Sequence, residues 1–164
     1  MNLALLAKLV HVLLGIGLVA GLVGRTVVMH RARQVDDVRL IDELAGVAGS
    51  FDRRLVIPCS QLVVLLGLAT AWLQGWPILG FLVGGTSNWL LAALVLFLGI
   101  TALVPTVFIP TGKVFEAALR GAVAQGALTS ELSDALADRR VRRAHIFEAI
   151  AIFAILVLMI TKPI

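Results

Sequence analysis

Residues 3–28 read LALLAKLVHVLLGIGLVAGLVGRTVV, and a run this long and this apolar has few environments open to it. As a helix rising 1.5 Å per residue it spans roughly 39 Å, more than the ~30 Å hydrocarbon core of a bilayer. The run is expected to be a membrane span, and it carries Lys8, His11 and Arg25 within it. Steps of three and four through Lys8, His11, Gly15, Leu18, Leu22 and Arg25 put every polar group on one stripe. Ionisable side chains are costly against lipid, so the stripe is expected to face other helices.

The whole chain agrees with its first segment. It is 60% hydrophobic and 15% charged, whereas soluble domains sit near about one half and one quarter. A net charge of +4 would point to nucleic acid in a soluble protein, but the basic residues cluster beside the apolar runs, where they set topology. No nucleic-acid partner is expected. With no basic stretch ahead of it and no small-residue cleavage site after it, the first run reads as a retained span and not a signal peptide. The single cysteine, Cys59, excludes an internal disulfide and a multi-cysteine metal cluster. No HExxH, no Gly-rich phosphate loop and no Ser/His/Asp order occurs, so hydrolase chemistry has no support.

Four spans can be drawn, at about residues 3–28, 55–72, 89–111 and 144–161. They predict an all-α polytopic membrane protein: a single transmembrane domain over residues 1–164, folded as an up-down four-helix bundle. Arg25, Arg31, Arg33, Arg39, Arg53 and Arg54 lie between or at the ends of spans one and two. Lys113, Arg120, Arg139, Arg140, Arg142 and Arg143 lie between spans three and four, and the middle loop has no Lys or Arg. The positive-inside rule makes both basic loops cytoplasmic and places both termini outside. Trp72, Trp76 and Trp89 flank the middle loop, as an interfacial belt would.

The loops have structure of their own. Val35, Val38, Ile41, Leu44 and Val47 recur every third residue in a segment that carries Asp36 and Asp37 near its start, which predicts an amphipathic surface helix. In the second basic loop, Val114, Phe115, Ala118 and Leu119 form an apolar face, and Thr129 or Ser130 can cap a helix whose Leu132 and Leu136 point inward. Gly84-Gly85 with Thr86-Ser87-Asn88 marks a turn before span three. Pro58 falls in the first turn of span two, Pro105 should kink span three, and Pro110 should help end it. Gly17 and Gly21 form a GxxxG pair with Gly24 beside it, which lets a second helix approach closely. Gln61, Thr101 and Thr106 are polar enough to hydrogen-bond across the bundle.

The fourth span repeats the pattern of the first through His145, Glu148, Ile152, Ile155, Met159 and Lys162. Two such stripes are expected to face each other. Arg25 and Glu148 differ in depth by ~7.5 Å, within reach of an extended Arg, which predicts a buried ion pair with Arg53 or Arg54 as rival partners. An intramembrane carboxylate such as Glu148 is alternatively a proton carrier. His11 lies ~6 Å outward of the midplane, where two roles are open to it. One is a neutral histidine hydrogen-bonded across the bundle. The other is an axial ligand to a haem held between helices. As a second ligand, His145 differs from His11 in depth by ~18 Å, whereas Met159 lies within ~3 Å of it.

The motif Lys8-x-x-His11, followed by Ala20-Gly21-Leu22, Arg25 and His30, resembles the first helix of the haem-containing J-type protoporphyrinogen oxidases and their copper-resistance D-type relatives. The overall length, the Arg-rich loop before span four and the terminal Thr161-Lys162-Pro163 resemble a bacterial family of predicted four-helix integral membrane proteins of unknown function. The first likeness implies haem b at His11 and a redox or porphyrin-related role; on that reading Met159 or His145 is expected as a possible second ligand, Arg25 near a propionate, and the bacterial inner membrane as the location. The chain has no tyrosine and departs from the oxidase pattern around Arg25, so oxidase activity is not itself expected. The alternative is a non-catalytic subunit or scaffold that packs against partners or copies of itself, with its buried ions only structural.

Overall fold

In a computed structural model of the chain, residues 2–85 and 87–162 are described; Thr86 of the expected turn and Pro163 of the terminal motif lie outside the described residues. Among those described, the regular structure is all helical. Helix α1 runs Leu3–Ala32, α2 Val38–Phe51 and α3 Ile57–Leu73. A short 3₁₀ turn at Gly80–Val83 precedes α4 at Trp89–Leu103, α5 at Ile109–Gln125, α6 at Ser130–Leu136 and α7 at Arg139–Thr161. Four stretches are long and apolar enough to cross a bilayer: Leu3–Ala32, Val38–Leu73, Trp89–Gln125 and Ser130–Thr161. The all-α, four-span architecture is therefore the observed one.

Helix ends differ from the hydropathy boundaries. The expected separate surface helix is α2, but it does not stop before span two. A π-helical turn at Asp52–Val56 joins it to α3, so helix is unbroken from Val38 to Leu73. Span three likewise continues past Pro110 to Gln125 through a second π-turn, Val104–Phe108. The cause is the same at both places. A proline has no N–H for the carbonyl four residues back, and its ring crowds that carbonyl. Each π-turn is followed by Ile-Pro, and the isoleucine N–H reaches back five residues, Ile57 to the Asp52 carbonyl and Ile109 to the Val104 carbonyl. The turn widens by one residue and the helix restarts with proline in its first turn, where it is tolerated. Pro105 sits inside the second π-turn, so its predicted irregularity is present.

The chain divides into two compact units, Met1–Trp76 with Gly121–Leu128, and Pro77–Arg120 with Thr129–Ile164. In the first, α1 packs against α2 and α3. Gly24 faces the Phe51 ring, Gly21 faces Leu55 and Val56, and Gly17 faces the Cys59 sulfur. Numbers falling along α1 meet numbers rising along α2 and α3, so the packing is antiparallel. A Cβ at Gly24 would come within 2.6 Å of Phe51 and one at Gly21 within 2.9 Å of Leu55, which is why small residues are needed on this face. Asp37 caps α2 by accepting from the Arg39 and Leu40 N–H groups. Its inward face is Val38, Ile41 and Ala48, with Val47 turned out.

In the second unit α4 packs against α7, again antiparallel. The Lys162 ammonium lies 5.8 Å over Trp89 at one end, and the Phe108 ring stacks on His145 at 4.8 Å toward the other. Thr129 caps α6 through the Leu132 N–H, and Leu132 is fully buried. Asp138 caps α7 through the Arg140 N–H at 2.6 Å. Buried Ala144, Glu148 and Ala151 follow at helical spacing.

Candidate functional site

His11 projects from the first third of α1 onto α3. Its Nδ1 lies 2.8 Å from the Val63 carbonyl oxygen. A carbonyl only accepts, so Nδ1 carries a hydrogen, and in the neutral ring Nε2 keeps its lone pair. The ring rests over Gly67, where an added Cβ would stand 2.9 Å from Cε1 and 3.2 Å from Nδ1. The missing side chain at Gly67 is what lets the imidazole reach the backbone one turn earlier.

Val63, Gly67 and Thr70 share a face of α3, four and then three residues apart. The Thr70 hydroxyl is buried and finds no hydrogen-bond partner among the described residues. This sets it apart from Thr26, Thr101, Thr106, Thr111 and Thr161, each of which donates to the carbonyl four residues back. Thr101 and Thr106, expected to bond across the bundle, thus satisfy themselves within their own helix, and Gln61 is exposed. Thr70 went unnoticed in the sequence because a lone threonine in an apolar helix looks like the other five.

Arg25 pairs with Asp52 at 2.9 Å, with side chains 14% and 34% exposed. Asp52 opens the first π-turn and was missed, since its only nearby signal is the Arg53-Arg54 pair that follows it. Glu148 accepts from His145 Nδ1 at 3.0 Å across one turn of α7, and of the two it is the more buried. Met159 is partly buried further along α7, and His30 accepts from the Gln34 amide at 3.1 Å near the end of α1. Among the described residues no three His, Cys, Asp or Glu side chains gather as a metal cluster. A haem needs none, because the porphyrin supplies four nitrogens and the protein only the axial ligands.

Residues 5–163 match a family described as predicted integral membrane proteins (DUF2269). The chain belongs to this family. No curated protein and no solved structure matches it. For a member of this DUF2269 family the solvent of the four apolar stretches is lipid, and this changes the weight of each polar contact. Where no water competes, a backbone or side-chain group must find its partner inside the protein. The His11–Val63 bond, the Arg25–Asp52 pair and the two π-turns all meet that demand.

Proposed function

We propose that this integral membrane protein binds b-type haem, with His11 as an axial ligand, in a redox or porphyrin-related role. The observation that carries the proposal is the Nδ1 hydrogen bond to the Val63 carbonyl. Metal-binding histidines characteristically donate their second ring N–H to a carbonyl or carboxylate, which fixes the ring and presents the other nitrogen as the ligand. The Lys8-x-x-His11 resemblance to haem-containing membrane proteins supports the same assignment. A bound haem would supply one-electron chemistry. This chain would hold it by the His11 imidazole. In this proposal the protein sits in a bacterial inner membrane, with both basic stretches cytoplasmic and both termini outside.

The test is the visible spectrum of protein purified from haem-replete cells. A Soret band is expected that His11→Ala abolishes while helical circular dichroism is retained. Folded wild-type protein that stays colourless after titration with haemin, or a Soret band indifferent to His11→Ala, would end the proposal. A second role is favoured by the seating of His11 over Gly67, which also serves as a simple lock between helices. On that account the protein is a structural subunit, and partners or copies of itself co-purify in mild detergent.

A further inference from the structure

The first π-turn carries a second feature, independent of His11. A cavity of about 300 Å³ opens at Ser50, Phe51, Arg54 and Leu55, at the lower end of the range for small-molecule clefts, roughly 300–1,000 Å³. Phe51, wedged against Gly24, and Leu55 give it apolar walls. The Ser50 hydroxyl donates to the Val47 carbonyl at 2.6 Å, which leaves its oxygen to accept. The Arg53 guanidinium lies over Gly49, beside Ser50 in the chain. Asp52 is already held by Arg25, and among the described residues neither Arg53 nor Arg54 has a carboxylate within ion-pair distance. One guanidinium without a carboxylate partner among the described residues, that of Arg54, therefore lines an amphipathic cleft, with Arg53 next to it in the chain but outside the lining.

Depth decides what fits. Arg54 immediately precedes the apolar residues 55–73, which span ~28 Å as a helix, so the cleft lies at the level of lipid headgroups. We infer that it is a binding site for the phosphodiester headgroup of an anionic phospholipid. Arg54 takes the phosphate oxygens, Ser50 accepts from a headgroup hydroxyl, and Phe51 and Leu55 cover the glycerol. A guanidinium fork matches phosphate geometry better than a point charge does. Free inorganic phosphate shares the anion chemistry but has no use for the apolar walls.

The experiment is native mass spectrometry of the full chain released from phosphatidylcholine nanodiscs containing a minority of phosphatidylglycerol. Wild type is expected to retain phosphatidylglycerol, and excess inorganic phosphate should not displace it. Arg54→Gln should weaken retention at least about tenfold, and Arg54→Lys by less, because charge survives without the fork. Arg142→Gln, an exposed arginine on α7 outside the cleft, should cost no more than the roughly fivefold of a merely interfacial charge. Arg54→Gln that retains lipid like wild type, Arg142→Gln that loses as much, or displacement by inorganic phosphate would each overturn the lipid site. If Arg54→Gln fails to fold, Arg54→Lys against Arg142→Gln decides.

Discussion

Gly67→Ala isolates the His11 contact better than deleting the histidine does. A Cβ at position 67 stands 2.9 Å from His11 Cε1, closer than van der Waals contact allows, so the ring must swing away and leave the Val63 carbonyl. That carbonyl remains within the α3 ladder, and the cost is the intramembrane hydrogen bond, about 0.6 kcal/mol on average and up to about 1.7. Alanine in place of glycine in a helix interior returns about 1 kcal/mol. In the wild-type background the two terms nearly cancel, and Gly67→Ala should fall near zero. In a His11→Ala background only the gain remains, and the same substitution should stabilise by about 1 kcal/mol. The coupling between positions 11 and 67 is then about 1 kcal/mol, within the range seen for residues in contact. Gly15→Ala provides the propensity gain alone, since a Cβ there meets nothing within 4 Å. Unfolding in mixed micelles, followed by helical circular dichroism, measures all four. Equal effects of Gly67→Ala in both backgrounds would refute the contact.

Two further outcomes follow from named groups. Thr70→Val removes the buried hydroxyl that has no partner among the described residues and should stabilise by about 1 kcal/mol in the same unfolding assay; a loss of stability instead means that the hydroxyl holds water or a ligand in the membrane. At the start of α6 the Glu131 carboxyl is held below the usual carboxylate range by its own backbone N–H first and by the Thr129 hydroxyl next. A depressed folded-state value means that its contribution is present above the unfolded value and is lost as pH falls through the folded one. Acidification should therefore loosen α6 in amide exchange for wild type but not for Glu131→Gln, and equal loosening of the two would count against the cap.

What the sequence made legible was whatever lipid enforces. Apolar runs, polar stripes and the glycine face of α1 follow from a solvent that rejects charge and from helices that must touch. The cap at Thr129 was also legible, because a short oxygen-bearing side chain before a helix has a local partner. Asp52 and Thr70 were not. The partner of Asp52 lies 27 residues away on another helix, while the adjacent Arg53-Arg54 pair draws attention to itself. The peculiarity of Thr70 is a bond it does not make, which only coordinates reveal.

The helix ends show where hydropathy misleads. Apolarity stops where the bilayer does, but a helix stops where its backbone bonds can be handed to something else. In water, Pro110 would be a sound place to end, with solvent taking the freed carbonyls. Near lipid an ended helix leaves several carbonyls without partners, each costing a few kcal/mol. Widening one turn reroutes them at far smaller cost, as the Ile57–Asp52 and Ile109–Val104 bonds do. The Ile-Pro pairs therefore mark where a helix bends its rules and continues. At the first of them that wider turn has a chemical result: it carries Asp52, which pairs with Arg25, and Arg54, which lines the cleft with Ser50. One proline thus helps to place both the ion pair and the candidate lipid site, neither of which requires haem at His11.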